Sequence, residues 1–537
     1  MNCFFTCSLV FSVAFLFMLA GSHTAEAATV SLRAGANLQA AINAANPGDT
    51  IVLEAGATFT GPIYLPYKAG SGTDADFITI QSSALAELPA NSRVSPQQAH
   101  LMPKITAPGN NYQALRTEAA AHHYRFLGVE FLPVNSSAVV TNLIQLGDDG
   151  SQGQSTPERV PHHLVFDRCY IHAWAGQDAR RGIALNSMET EIKNSYISDF
   201  KSRTSDSQAI MSWHSPGRLR IINNYLEGAS ENLMLGGGGS VATEGFIPSD
   251  IEVRGNHFSK PLSWRGVWGV KNLFEVKFAR RVQFVGNLLE YNWQDGMVGY
   301  AIQLTVRDQG VIEDVLIESN VVRHTSGGIN ILGRDYNGPS GQAQRITIRN
   351  NLFYDLDSSR WGGADHFLQI TETEAVVVDH NTVLQGGNII EAYGEANTNF
   401  VFTNNIVLHN LYGIFGGGKS PGNGTISAYF PNGQFFKNVI IAPGGHEWSY
   451  PAGNFYPASS ELVGFVDSAS NNYRLTASSP YKGQATDGKD LGSDFDALSA
   501  AMSGAQPSPS PTPTPMPTPT PIPTPTHTPI PVATPTV

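Results

Sequence analysis

Apolar and polar positions along this chain repeat on two scales. At short range, apolar residues alternate with polar ones over four to six positions, the period of a strand with one buried face. At longer range, a β-branched or aromatic strand is followed by Asn and then by two mostly apolar residues: IINNYL, VRGNHF, FVGNLL, IESNVV, IRNNLF, VDHNTV, FTNNIV and FFKNVI. The repeated asparagines are Asn224, Asn256, Asn287, Asn320, Asn351, Asn381, Asn405 and Asn438, at intervals of 32, 31, 33, 31, 30, 24 and 33 residues. Upstream, FDRCYI and IKNSYI continue the series with Cys169 and Ser195 in the Asn slot, and HHYRFLGVEF repeats the spacing of HHLVFDRCYI. The repeats therefore begin by about residue 115.

A period in this range signals a solenoid or a propeller. The segments between repeats are too rich in Gly for helical repeats, the spacing of leucine-rich repeats is missing, and each unit is too short for a four-stranded blade. The pattern predicts an all-β fold, a single-stranded right-handed parallel β-helix, in which an inward Asn at the same corner of every coil bonds to its neighbours. Before each Asn strand lies another alternating strand, among them LFEVKF, AIQLTVR, INILGR and NIIEAYG. Alternation puts Ile302, Leu304 and Val306 inward and Gln303, Thr305 and Arg307 outward. Adjacent coils about 4.8 Å apart would make those outward residues a ladder matched to an extended sugar chain. Near the start, Asn37 is placed to cap a short helix whose Leu38, Ala41, Ile42 and Ala45 share a face and which ends at Pro47-Gly48. This helix is expected to plug the open barrel, and NNYRLTASSPYKGQATDGKDLGSDFDAL to close the other end.

The two ends of the chain change the picture. Residues 1–27 hold the apolar run Leu9 to Ala20 and then Ala25-Glu26-Ala27, an export signal with its cleavage site. No later stretch reaches the roughly 20 apolar residues of a membrane-spanning helix, so a secreted or cell-surface protein is expected. Residues 28–505 form the predicted β-helix domain, with 28–110 as cap and first coils. Residues 506–537 form a tail in which Pro507 to Val537 carries 13 prolines in 31 residues, extended chain that forms no core. After cleavage only Cys169 of the three cysteines remains, which excludes an internal disulfide. Loss of Glu26 takes the net charge from −12 to −11. Such an acidic chain is a poor partner for nucleic acid, and any polyanion would need a local basic patch.

That patch has a candidate. Lys260, Arg265, Lys271, Lys277, Arg280 and Arg281 crowd 22 residues against Glu275 alone. If the coils are in register, Lys277, Arg307 and Arg334 stack into one basic column. The consecutive coils SENLMLGG, LFEVKFARRVQFVGN, AIQLTVRDQG and GINILGRDYNG, within residues 225–340, resemble polysaccharide lyase family six, the β-helix lyases of alginate and dermatan sulfate. The resemblance implies Lys277 as catalytic base, Arg307 as its partner, and Ca²⁺ bound by Glu231 with Glu275. It departs at Asp308, where those lyases tend to have His, and in the missing acidic pair before the lysine. β-Elimination removes the proton beside a uronate carboxylate, so cations must neutralise that carboxylate, and nearby Arg280, Arg281 and Arg307 would favour a neutral Lys277. Arg334, Trp213, His214, Arg280, Gln303, Glu391 and Tyr393 are the expected substrate contacts. Trp264, Trp268, Trp293, Tyr300 and Trp361 are further stacking platforms. His122-His123 and His162-His163 read as a structural stack, Asp379-His380 as structural, in the slot that holds Arg-Gly, Val-Gly or Arg-Asn in sister coils, and Asp487, Asp490, Asp494 and Asp496 as a polar closing turn.

Three functions follow. The leading one is a lyase acting, as a monomer, on an acidic extracellular polysaccharide. A glycoside hydrolase would need two carboxylates across a cleft, drawn from Glu275, Glu372 or Glu391 with Asp206. The Pro/Thr tail favours a surface adhesin that binds sugars without cleaving them.

Overall fold

The computed structural model of the chain describes residues 27–239 and 241–504. The predicted export signal, apart from Ala27, and the predicted Pro/Thr tail lie outside the described residues. No described helix is long and apolar enough to cross a membrane.

Each coil contributes one strand to each of three sheets, of 14, 12 and 13 strands. In one coil the chain runs through Asn272–Val276 in the 12-stranded sheet, Ala279–Val285 in the 14-stranded sheet and Leu288–Asn292 in the 13-stranded sheet, then returns to the 12-stranded sheet at Tyr300–Thr305. We call these the second, first and third sheets. Pairing between successive coils is parallel throughout, as at Phe274 with Ile302, Val282 with Val315 and Leu289 with Val322. The inward rows, mostly Ile, Leu, Val and Phe, fill one continuous core running the length of the barrel.

The repeated Asn explains the turn between the first and third sheets. Asn224 through Asn438 lie at 0–1% exposure, and each backbone N–H donates to the side-chain carbonyl of the next: Asn256 to Asn287 at 2.9 Å, Asn287 to Asn320 at 2.8 Å, Asn320 to Asn351 at 2.9 Å. The side-chain amide donates back to a strand carbonyl, Asn287 to Val253 at 2.9 Å. The ladder runs on to Asn454 and begins at Cys169, whose N–H donates to Ser195 Oγ at 3.0 Å. The residue before each rung, from Arg168 to Lys437, has φ between 52° and 67°. That left-handed residue bends the strand and leaves an N–H unpaired by the ladder of either sheet, which the Asn carbonyl then satisfies. His380 fills this slot with φ 52°, while Asp379 accepts from Thr403 and Asn404. The Asp379-His380 pair is thus part of the repeat.

At the N-terminal end, Leu38–Ala44 is the predicted helix, with Asn37 accepting from Ala40 N–H at 2.9 Å and Leu38 and Ile42 in the core. At the other end, helix Asn423–Tyr429 puts Ile426 and Phe430 into the core. The C-terminal segment does something the sequence reading missed. It runs back along the outside of the third sheet, with Tyr473, Leu498 and Met502 on Leu288, Leu352 and Tyr354, and with Val463, Tyr481 and Leu491 on Ile406, Val439 and Ile441. Those outward positions are apolar, so the barrel's flank needed covering as much as its end.

Candidate active site

The outward face of the second sheet is an in-register column: Met211, Met234, Glu275, Gln303, Asn330, Gln369 and Glu391. Ile302, Leu304 and Val306 face the core, as alternation predicts. Gln303 faces outward but is largely covered, and its carbonyl accepts from the Asn330 amide at 3.2 Å. The surface over this column is the candidate groove, and chemistry is left to residues one side-chain step further, where the chain turns toward the first sheet.

Lys277 and Arg307 occupy that step in consecutive coils, just after Asn272–Val276 and Tyr300–Thr305. The Arg307 backbone N–H donates to the Lys277 carbonyl at 3.1 Å. Both side chains are partly open to solvent, at 27% and 33%. Lys277 Nζ lies 3.5 Å from Glu275 Oε1, and Arg307 Nη1 lies 3.9 Å from Asp335 Oδ1. These are loose contacts, longer than a charge-assisted hydrogen bond. Below Lys277 pass Gly236, Gly237 and Gly238, with φ of 78°, 82° and 76°. A Cβ on Gly237 would stand 2.9 Å from Lys277 Cδ, and one on Gly238 would stand 3.1 Å from Met211 Cε. Glycine there keeps the floor low enough for Lys277 and Trp213 to lie across it. The sequence displays the run as GGGG, a signal its reading did not use.

Trp213 is half-buried with the Arg181 guanidinium 5.2 Å over its ring. His214 is buried and stacked on Phe246 at 4.1 Å, and burial pulls its pKa down. On the other side of Arg307, Arg334 is 42% exposed and sits 3.3 Å from Glu372. Tyr393 and the exposed Tyr336 complete this side, and Tyr336 was not anticipated. Burial pushes Tyr393 up to about 12, reinforced by Tyr336 and opposed by the positive charge of Arg307. Glu391 pairs with His366, whose hydrogen bond holds its carboxyl low. Asn388 N–H donates to His366 Nδ1 at 3.0 Å, which leaves Nε2 to carry the proton toward Glu391.

Several expected members of the site lie elsewhere. Arg280 is on the first sheet between Glu244, at 2.7 Å, and Glu313, at 2.8 Å; Arg281 is paired with Asp250 at 2.6 Å. Lys260 is fully buried, its Nζ donating to the carbonyls of Gly228, Ala229 and Asn272 and to Asn232 Oδ1. The basic crowd of the sequence thus divides between a sheet face, the interior and the groove. Trp264, Trp268, Trp293 and Trp361 are buried together with Ala229 and Val270, packing loops, and Tyr300 is buried as well. They offer no open ring to a sugar.

The carboxylates are similarly committed. Glu231 Oε2 accepts from the Gln208 amide at 2.7 Å, and burial, then the charges of Glu275 and Asp206, push its pKa up to about 8. Glu275 Oε2 accepts from Asn272 at 2.9 Å, and Lys271 binds Asp206 at 2.6 Å. Among the described residues, the one group of three or more potential metal ligands is His123, His162 and His163, on another part of the barrel.

No protein-family model matches the chain, and no curated protein matches it. Solved structures do. The chain is similar to an alginate lyase from Paenibacillus sp. str. FPU-7, at 15% identity over 80% of this chain and 98% of that one, with TM-score 0.30. It is similar to a mannuronic-acid-specific polysaccharide family 6 lyase from human gut microbiota, at 11% identity over 81% and 83%, with TM-score 0.40. It is also similar to a GH87 α-1,3-glucanase from Streptomyces thermodiastaticus strain HF3-3, at 12% identity over 80% and 69%, with TM-score 0.47. These likenesses concern the parallel β-helix, which the three sheets establish by themselves, and they assign no activity.

Proposed function

We infer that the groove binds an acidic extracellular polysaccharide and cleaves it by β-elimination, with Lys277 as base and Arg307 as the cation that meets the uronate carboxylate. The observation that carries this reading is the Lys277–Arg307 pair in consecutive coils, with no carboxylate closer than 3.5 and 3.9 Å and with Gly236, Gly237 and Gly238 beneath Lys277. As the base, Lys277 Nζ takes the proton from the carbon beside the carboxylate, the C–O bond to the next sugar breaks, and a C=C bond forms between the two carbons. The departing oxygen takes up a proton and becomes a hydroxyl. Arg307 stabilises the negative charge that gathers on the carboxylate as the proton leaves. Tyr393, whose phenol burial favours in the protonated form, would supply the proton to the departing oxygen. Trp213 and Arg334 bound the groove on either side and would hold neighbouring sugars.

Calcium, which the resemblance implies, does not fit the residues present. It prefers six to eight oxygen ligands, whereas Glu231 and Glu275 accept amide hydrogens and Lys271 brings an ammonium to Asp206. No step is routed through it. The test is a panel of alginate, pectate, glycosaminoglycans and neutral glycans, followed by ultraviolet absorbance of unsaturated ends and by reducing ends. Absorbance that is lost in Lys277→Ala is expected. Reducing ends without absorbance would replace elimination by hydrolysis, and binding without either product would leave an adhesin.

A further inference from the structure

On the first sheet, four imidazoles converge. His122 and His162 are register partners in adjacent coils, within strands His122–Leu127 and His162–Asp167. The next residues, His123 and His163, have φ of 56° and 53°. A strand with ordinary alternation would send consecutive side chains to opposite faces. The left-handed residue cancels that alternation in both coils, so all four rings gather on one side. His122 stacks on His162 at 4.9 Å and 5°, and His123 on His163 at 4.5 Å and 10°. Within each coil the two Nδ1 atoms are 2.7 Å apart.

We propose that this histidine box is a binding site for one divalent transition-metal ion of the zinc class, with His123, His162 and His163 as its ligands. Ring nitrogens of these three residues lie within 4.8 Å of one another, and tetrahedral Zn–N bonds of about 2.0 Å need nitrogens about 3.3 Å apart, so small ring rotations close the site. His123 is 2% exposed, yet its Nε2 has no hydrogen-bond partner. A buried polar nitrogen left bare is costly, and a metal is one partner that would satisfy it. Asp76, whose carboxylate is held by Ser71 and by the N–H groups of Gly72 and Thr73, faces His122 and His123 and supplies negative charge. His162 and His163 are half-buried and leave a route of entry. The ion would add a side-chain clip to two coils already paired strand to strand. Cys169, buried and free, offers no disulfide for that purpose.

The test uses the β-helix protein dialysed against a chelator and titrated with zinc chloride in competition with a chromogenic chelator. One equivalent of zinc per chain and a rise in the thermal midpoint are expected. His162→Gln and His163→Gln, at half-exposed positions, should each weaken binding tenfold or more, while His446→Gln, in the separate His409–His446 stack, should leave it unchanged. Near-ultraviolet circular dichroism establishes that the variants are folded. Absence of stoichiometric zinc in the unsubstituted protein, or full binding in both folded box variants, overturns the proposal.

Discussion

Lys277 and Arg280 are three residues apart and belong to different worlds. The chain leaves the second sheet at Val276 and enters the first at Ala279. Arg280 and Arg281 enter a ladder of opposite charges that runs across coils: Arg218 with Glu189, Arg220 with Glu191 and Glu252, Arg281 with Asp250, Arg345 with Glu313 and Asp314. Each cation there has a carboxylate within 3.0 Å. In the groove, Lys277 and Arg307 have none closer than 3.5 and 3.9 Å. Paired charge on a solvated sheet face does little beyond keeping the sheet from sticking to others. Cations with no carboxylate at hydrogen-bond distance are available to an anionic ligand, and Arg307 Nη1 donates only to the neutral carbonyl of Val306 at 3.0 Å.

Substitutions can sharpen or break this contrast. The largest expected effect is in Lys277→Ala, which should lower unsaturated-product formation by about 10³-fold, the range of a lost general base, with unchanged circular dichroism. Arg307→Ala should lower it by about 10²-fold, and Arg307→Lys should restore part of the loss, read from initial rates on whichever acidic polymer is cleaved. Asn287→Ala acts on the scaffold beneath both regions. It strips the Asn256 N–H of its buried acceptor and the Val253 carbonyl of its donor, and should cost about 3 kcal/mol in chemical denaturation. Arg281→Ala, by contrast, should change stability by less than about 1 kcal/mol and leave product formation as it was. If Arg281→Ala proved as damaging to activity as Lys277→Ala, the division between the two regions would fall.

A smaller effect concerns pH. Glu227 is buried, accepts the Tyr225 hydroxyl at 2.6 Å, and is pushed up to about 8 by burial and then by Asp199. Its folded pKa lies above the ordinary value of 4.5, so the folded chain keeps a proton that the unfolded chain releases. Its contribution to stability is present below pH 4.5 and is lost as pH rises through about 8. Denaturation curves at pH 5 and pH 8 should differ less in Glu227→Gln than in the unsubstituted protein.

The sequence by itself determined the coil. A recurrence of Asn at intervals of 24 to 33 residues is legible because one buried hydrogen-bonded rung imposes the same residue on eight successive turns, and alternation assigned Ile302, Leu304 and Val306 to the core because a strand has only two faces. The capping helix was legible for a similar reason, as its cap and its face lie within a few residues. Tertiary structure alone decided which outward residues stay in reach of solvent. Trp264, Trp268, Trp293 and Trp361 come from three separate loops, and nothing local announces that they bury one another. Lys260 looked like part of a basic surface until its turn folded its amine among carbonyl groups. Strand direction is a property of neighbouring residues, whereas burial, pairing of charge and the course of the C-terminal segment over the third sheet depend on groups tens to hundreds of residues away.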